Sequence, residues 1–441
     1  MLSLNDNLHF SKKQFQFNFQ GGKLSTDGGL LLFHHFIKAF HVDYLTAQLF
    51  SNMHLPKQQH TFSSVLLQLF YQLAAGYKTA DVADELAADP AFTLFLDKQR
   101  LASQPTLSRF INSLGDESLV KLKRLDYAIR KRAYLVSPPE FTILDLDSTL
   151  INTYGEQEGS KFNYHYQQVG LHPLVCFEAF TGDLLAAELR PGAAYSCNGA
   201  VSFMQPILDK MQQMKKMPTM ILRGDSGFAD NKIYTQCETN GCSYAIRLKE
   251  NNTLKHNASH LLAEVNRLAS TATGSVVLYD DFYYQAGSWA YPRRVVCKVE
   301  KKQGELFAEH TFVVTNMDQP AKRLIKLYCK RGLMENYIKE FKNSFCMSMS
   351  NRQMKINQNL LLICQIAYNL FNWMKRLTLD AKMGKGQADG IRLRLLKVAG
   401  KVVRHGRRIW LELCSCFPYR RQLEEALRKV DLLAHGLALL L

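Results

Sequence analysis

Between residues 141 and 248 the chain alternates apolar strand patterns and helix patterns in one order, and that order leaves few ways to fold. Residues 141–150 read as a strand. Residues 172–180 and 184–189 flank a Thr181-Gly182-Asp183 turn and read as a hairpin. A helix over about 200–214, a buried strand over 219–223, a helix over about 231–240 and a strand over 243–248 follow. Three strands, helix, strand, helix, strand is an α/β layer pattern.

The flanks read differently. Residues 1–135 are expected to be mostly helical: 62–74 is an apolar helix that Gly76 ends, and another helix starts near Ser103 with Pro105 in its first turn. Short helices joined by tight turns suit a helix-turn-helix-like DNA reader. A plain helical bundle accounts for them equally well. Residues 275–286, 289–300 and 306–316 alternate as strands do, so 251–318 reads as a β-rich insertion. The expected layout is a helical DNA-binding domain over 1–135, a catalytic core over 136–250, the insertion over 251–318, the core's final helices over 319–376 and a basic helical region over 377–441. The core's strand order is that of a ribonuclease-H-like sheet.

Charge narrows the partners. The 441 residues carry a formal net charge of +16, which favours a polyanion such as nucleic acid or an anionic membrane surface. Much of the excess lies late in the chain, Arg404, Arg407 and Arg408 included. Residues 1–20 are polar and lack the apolar run of a signal peptide. The most hydrophobic stretch, 360–374, is too short to span a bilayer and carries Gln365, Asn369 and Asn372. A cytoplasmic, nucleoid-associated bacterial protein with no membrane partner is expected. The ten cysteines are scattered, with Cys414 and Cys416 a lone pair, so reduced thiols are expected and zinc is not.

Three acidic motifs carry the chemistry. Asp145 and Asp147 sit two apart at the end of an apolar strand, so they share a face, where a carboxylate is costly unless a cation or donor compensates it. Asp225 follows the next buried strand in Arg223-Gly224-Asp225-Ser226-Gly227-Phe228, whose glycines allow a sharp turn; an aspartate cap is the plainer reading there. The third motif spaces Tyr328, Arg331, Glu335 and Lys342 so that on one α-helix they fall in a stripe roughly 60° wide. Such a face suits a surface that holds both a metal and a phosphate. A solvated Arg331/Glu335 pair at i, i+4 is the plainer alternative. Glu340, about 140° off that stripe, is expected to be a partly solvated face residue.

These motifs resemble those of the IS4-type DDE transposases, most closely the IS1380 family. Asp147-Ser148-Thr149, Asp225-Ser226-Gly227-Phe228 and the Tyr328/Arg331/Glu335/Lys342 set match in order and spacing. The likeness runs from about residue 15 to 410. It implies a metal-dependent enzyme that cuts and rejoins double-stranded DNA at the terminal inverted repeats of its own mobile element and inserts it into target DNA, as a homodimer in the synaptic complex. Asp147, Asp225 and Glu335 would be catalytic and hold Mg²⁺ or Mn²⁺, two ions being expected; oxygen ligands suit both metals. Tyr328, Arg331 and Lys342 would contact DNA, as would Arg404, Arg407 and Arg408. Trp289 is a candidate for stacking on a flipped base, although a tryptophan in a half-buried strand is more often packing.

Two alternatives compete. Asp145-x-Asp147-x-Thr149 with Gly224-Asp225 also resembles the motifs of haloacid-dehalogenase-like Mg-dependent phosphatases, with Asp145 as nucleophile. That fold needs a helix where this sequence offers a hairpin. A non-catalytic DNA-binding protein descended from a transposase is the other.

Overall fold

The structure, a computed structural model, describes residues 8–10, 13–15, 18–55, 59–139, 141–213 and 219–440. The reading of residues 1–20 falls largely outside them.

Among the described residues, seven helices precede the sheet. The principal helices are α1 (Leu30–Ala39), α2 (Phe62–Ala75) and α3 (Asp116–Val136). Thr61 caps α2 by accepting from the Ser64 amide, and Gly76 ends it in the left-handed region. The expected helix at Ser103 is present as Gln104–Asn112, with its proline in the first turn.

The sheet is mixed and eight-stranded. Its strands are β1 (Thr142–Ser148), β2 (Leu174–Glu178), β3 (Leu184–Glu188), β4 (Met220–Gly224), β5 (Ser243–Leu248), β6 (Val276–Tyr284), β7 (Arg293–Lys301) and β8 (Glu309–Thr315). Their spatial order is β6-β7-β8-β5-β4-β1-β2-β3. β4 runs parallel to both β1 and β5, and the other pairings are antiparallel. Helices α4 (Ala200–Gln212) and α5 (Asn231–Thr239) make the connections around β4. The three strands read as an insertion form no sheet of their own. They continue the sheet past β5, whose edge would otherwise be open.

Beyond the sheet come α6 (Ala321–Cys329), α7 (Leu333–Ser344) and α8 (Met354–Thr378). α8 is buried along most of its length and packs against α2, α3 and β3. Each large apolar side chain it buries contributes about 1.5–3 kcal/mol. Two of its buried asparagines reach the sheet. Asn369 accepts from the Leu184 amide at 2.9 Å and donates to the Leu184 carbonyl at 2.8 Å, and Asn372 donates to the Thr181 carbonyl at 2.8 Å. Together they fasten the β2–β3 hairpin to the helix layer.

The C-terminal region departs from the helical expectation. Residues Gly400–His405 and Arg408–Leu413 form a hairpin, β9 and β10, joined by Gly406-Arg407 with Gly406 at φ +55°. Val402, Val403 and Ile409 favour strands, and a two-residue turn with a left-handed first position matches strand twist. The interspersed arginines obscured that pattern. A last helix, α9 (Arg420–Leu440), returns to pack on α1, α3 and α8, so the two ends of the chain share one helical layer.

Candidate active site

Parallel pairing places the first two carboxylates. Leu146 is opposite Gly224 in the β1–β4 register, so Asp147 and Asp225 leave the carboxyl ends of adjacent strands one step further on. Ligands of α/β sheets bind at such ends. Glu335 stands in the first turn of α7. All three line one cleft of about 380 Å³, together with Ser148, Thr149, His165, Tyr166, Arg331, Lys339 and Lys342. Among the described residues, no group of three or more His, Cys, Asp or Glu side chains is drawn together closely enough to hold a metal ion.

Arg331 sits against the first of the three. Its Nη2 lies 2.7 Å from Asp147 Oδ2, and the Asp147 side chain is only 16% exposed. Burial pushes the Asp147 carboxyl up to about 6, against the pull of Arg331 and with Asp225 adding repulsion. The Arg331 Nε is buried with no hydrogen-bond partner. Lys342 donates to Thr149 Oγ1 at 3.2 Å, and burial lowers its ammonium below the ordinary range.

Asp225 is both cap and cleft residue. Its Oδ1 accepts from the Gly227 amide at 2.8 Å, starting a short 3₁₀ turn over Ser226–Phe228. A Cβ on Gly227 would lie 2.8 Å from the Ser196 Cβ and 3.0 Å from Asp225 Oδ1, so only glycine lets the turn close.

The expected single helix for the third motif is interrupted. A 3₁₀ turn over Lys330–Gly332 separates α6 from α7. Its tighter winding breaks the uniform stripe. Arg331, Glu335 and Lys342 still reach the cleft. Tyr328 does not: it is 9% exposed and packs with Val296, Val313, Leu324 and Ile325. The apolar face of α6 carries that ring onto the sheet, with its hydroxyl still under the influence of Arg331 and Asp225. Trp289 is packed as well. It lies in the β6–β7 connection, 7% exposed, edge-on to Tyr234 and Tyr284 at 5.4 Å each, with the Arg293 guanidinium 5.5 Å over its ring. Glu340 was expected at the surface, yet its side chain is 8% exposed. It accepts from the Ala388 amide at 2.6 Å and lies 3.6 Å from Lys375 Nζ, because α8 and the following turn cover that face of α7. Arg404, Arg407 and Arg408 are exposed on the β9–β10 hairpin.

Asp145 is no nucleophile. It is fully buried, and Arg223 Nε and Nη2 hold its two oxygens at 2.7 Å each.

The sequence reading missed His165 and Tyr166. They lie in the turn that joins Lys161–Asn163 to Gln168–Leu171, two strands of a three-stranded sheet completed by Ile151–Asn152, and that turn walls the cleft. Tyr166 Oη donates to the Ser148 carbonyl at 3.2 Å, and burial beside Asp147 and Asp225 pushes its phenol up to about 12, so it stays a neutral donor. The available signal was the aromatic run Tyr164-His165-Tyr166 before Gly170, whose absent side chain lets Ile151 approach.

Carboxylates at the ends of two parallel strands, facing a helix that brings a third with basic neighbours, form an arrangement suited to chemistry on phosphate esters. The chain belongs to a family of DDE transposases: the family described as transposase DDE domain group 1 matches it over residues 8–435, and the protein is thus an enzyme that cleaves and transfers DNA strands. Among solved structures it is similar to a piggyBac transposase synaptic complex with hairpin DNA. That likeness has 11% identity over 83% of this chain and 80% of that one, with a TM-score of 0.42, too slight to establish a common fold. No curated protein matches the chain. Among the described residues no helix is long and apolar enough to cross a membrane.

Proposed function

We propose that Asp147, Asp225 and Glu335 are the catalytic triad of this transposase, on a ribonuclease-H-like core of the IS4 type closest to the IS1380 family. The observation that carries this reading is the cleft itself: two carboxylates from adjacent parallel strands and a third from α7 share it. The order β3-β2-β1-β4-β5, with β4 and β5 parallel to β1, supports the core assignment. The substrate is double-stranded DNA, the terminal inverted repeats of the element and then target DNA, handled by two copies in a synaptic complex. The net charge of +16 supports a polyanionic substrate.

The donor set fits Mg²⁺ or Mn²⁺. Its ligands are all carboxylate oxygens, and Asp147, held high by burial, is a site a cation would relieve. Bound as one ion or a pair, the metal would activate the attacking oxygen and stabilise the leaving one. The chain's own groups do the rest. Arg331 gives up Asp147 for a DNA phosphate, and Lys342 binds a neighbouring phosphate oxygen. Tyr166, kept protonated, donates from the cleft wall. The test is cleavage of duplexes carrying the element's ends with Mg²⁺. Asp225→Asn and Glu335→Gln should each abolish cutting while specific binding persists. Cutting by a folded Asp225→Asn protein at the wild-type rate would overturn the assignment.

A further inference from the structure

The β9–β10 hairpin projects from the helical layer. At its base Gly400 and Lys401 pair with Ser25 and Leu24, and the Gly28 amide donates to the Val398 carbonyl at 2.9 Å. A Cβ on Gly28 would meet Val398 O at 2.9 Å and Leu413 Cδ2 at 2.7 Å, so the foot of the ribbon is tightly seated. Beyond Lys401, among the described residues, the two strands of the hairpin pair with each other alone. Four residues at about 3.4 Å each carry its tip about 14 Å further, against a major groove about 8.5 Å deep.

Register sorts the side chains. Val403 is opposite Trp410 and His405 opposite Arg408, so these four share a face with Lys401. Arg404 is opposite Ile409 on the other face. Trp410 is 54% exposed and Ile409 49%. Lys401, Arg404, His405, Arg407 and Arg408 are all exposed, and Glu412 is the sole acid of residues 400–413. A large aromatic left in water among cations on both faces of a two-stranded ribbon is chemistry for a polyanion with flat apolar surfaces. A protein groove would need acids to match, whereas duplex DNA offers a phosphate wall on each side and base and sugar surfaces between.

We propose that this ribbon inserts into a groove of duplex DNA, with Trp410 packed against bases and sugars and the cations of its two faces on opposite phosphate walls. The proposal rests on the transposase reading and adds a recognition element made of residues that do not line the carboxylate cleft. One measurement isolates it. Of the three tryptophans, Trp289 and Trp373 are buried and Trp410 is exposed. Acrylamide quenching of the full chain therefore reports on Trp410. A mixed-sequence duplex about three helical turns long is the probe. Saturating duplex should suppress the quenching, and Trp410→Phe should remove most of the signal. Trp410→Ala, with unchanged circular dichroism, should weaken duplex binding about tenfold. Arg408→Ala should lower the salt slope of binding by about one unit. Duplex that binds while Trp410 stays fully quenchable overturns the ribbon and leaves the transposase reading standing. No duplex binding at all overturns both. Protection that appears on concentrating the protein without DNA assigns the face to a second copy and overturns the proposal.

Discussion

Arg223 holds both carboxylate oxygens of Asp145 at 2.7 Å and spends Nη1 on the carbonyl of Leu327 at 2.6 Å. One buried guanidinium thus ties β1 and β4 to the last turn of α6, just ahead of the segment that bears Arg331 and Glu335. Removing one partner of a buried pair strands a charge and costs about 3–5 kcal/mol, whereas replacing both by apolar groups is often near neutral. Arg223→Met should therefore destabilise the protein by that amount in urea unfolding, and adding Asp145→Leu should restore most of it. The tie to Leu327 is lost in both, so cleavage should stay low in the stable double variant. Recovery of cleavage along with stability would show that the pair only holds the core.

Arg331 competes with any cation for Asp147. In the DNA-free protein, Arg331→Ala should bind Mn²⁺ about tenfold more tightly, a gain of about 1.4 kcal/mol read by calorimetry or electron paramagnetic resonance. Its DNA cleavage should nonetheless fall, since the phosphate loses a bidentate partner. Equal Mn²⁺ affinity in the two proteins would mean that the 2.7 Å ion pair does not guard the site.

Glu335 and Glu340 separate activity from stability. Glu335 is exposed in the cleft, so Glu335→Gln should abolish Mg²⁺-dependent cutting and leave the melting temperature unchanged. Glu340 is buried between α7, α8 and the Ala388 amide. Glu340→Gln should cost about 1–3 kcal/mol of stability, the range for an impaired buried polar partner, and reduce cutting only as the folded fraction falls. The reverse pattern would exchange the two roles.

What the sequence disclosed follows from what is local. Apolar runs of strand length bounded by turns gave β1 to β5 to within a few residues, and with them the strand ends that bear Asp147 and Asp225. Helical periodicity set the angle of Glu340 but not what covers it: Lys375 lies 35 positions later in the chain. The packing of Trp289 and Tyr328 was not legible either, because Arg293, Tyr234 and the surface of β7 and β8 come from distant parts of the chain. The β9–β10 ribbon was hidden by its arginines, and the His165–Tyr166 wall by strands only two to four residues long, too short to show alternation.

Glu178 offers a pH test away from the reacting carboxylates. It ends β2 fully buried, and its Oε2 accepts from the Phe180 and Thr181 amides at 3.0 and 2.7 Å. Burial outweighs those donors and pushes its carboxyl from its ordinary 4.5 up to about 7. The folded chain therefore holds this proton more tightly than the unfolded chain does. The stability so contributed is fully present below the ordinary value and is lost as pH rises through about 7. Glu178→Gln keeps an oxygen for the two amides and mimics the protonated acid without titrating. The free-energy difference between wild type and this variant should shift against the wild type, by on the order of 3 kcal/mol, across that window. Acids elsewhere titrate in both proteins and cancel. Urea unfolding at a series of pH values reads the difference directly, and a difference that stays flat would show that the β2 terminus admits enough water to hold Glu178 ionised at little cost.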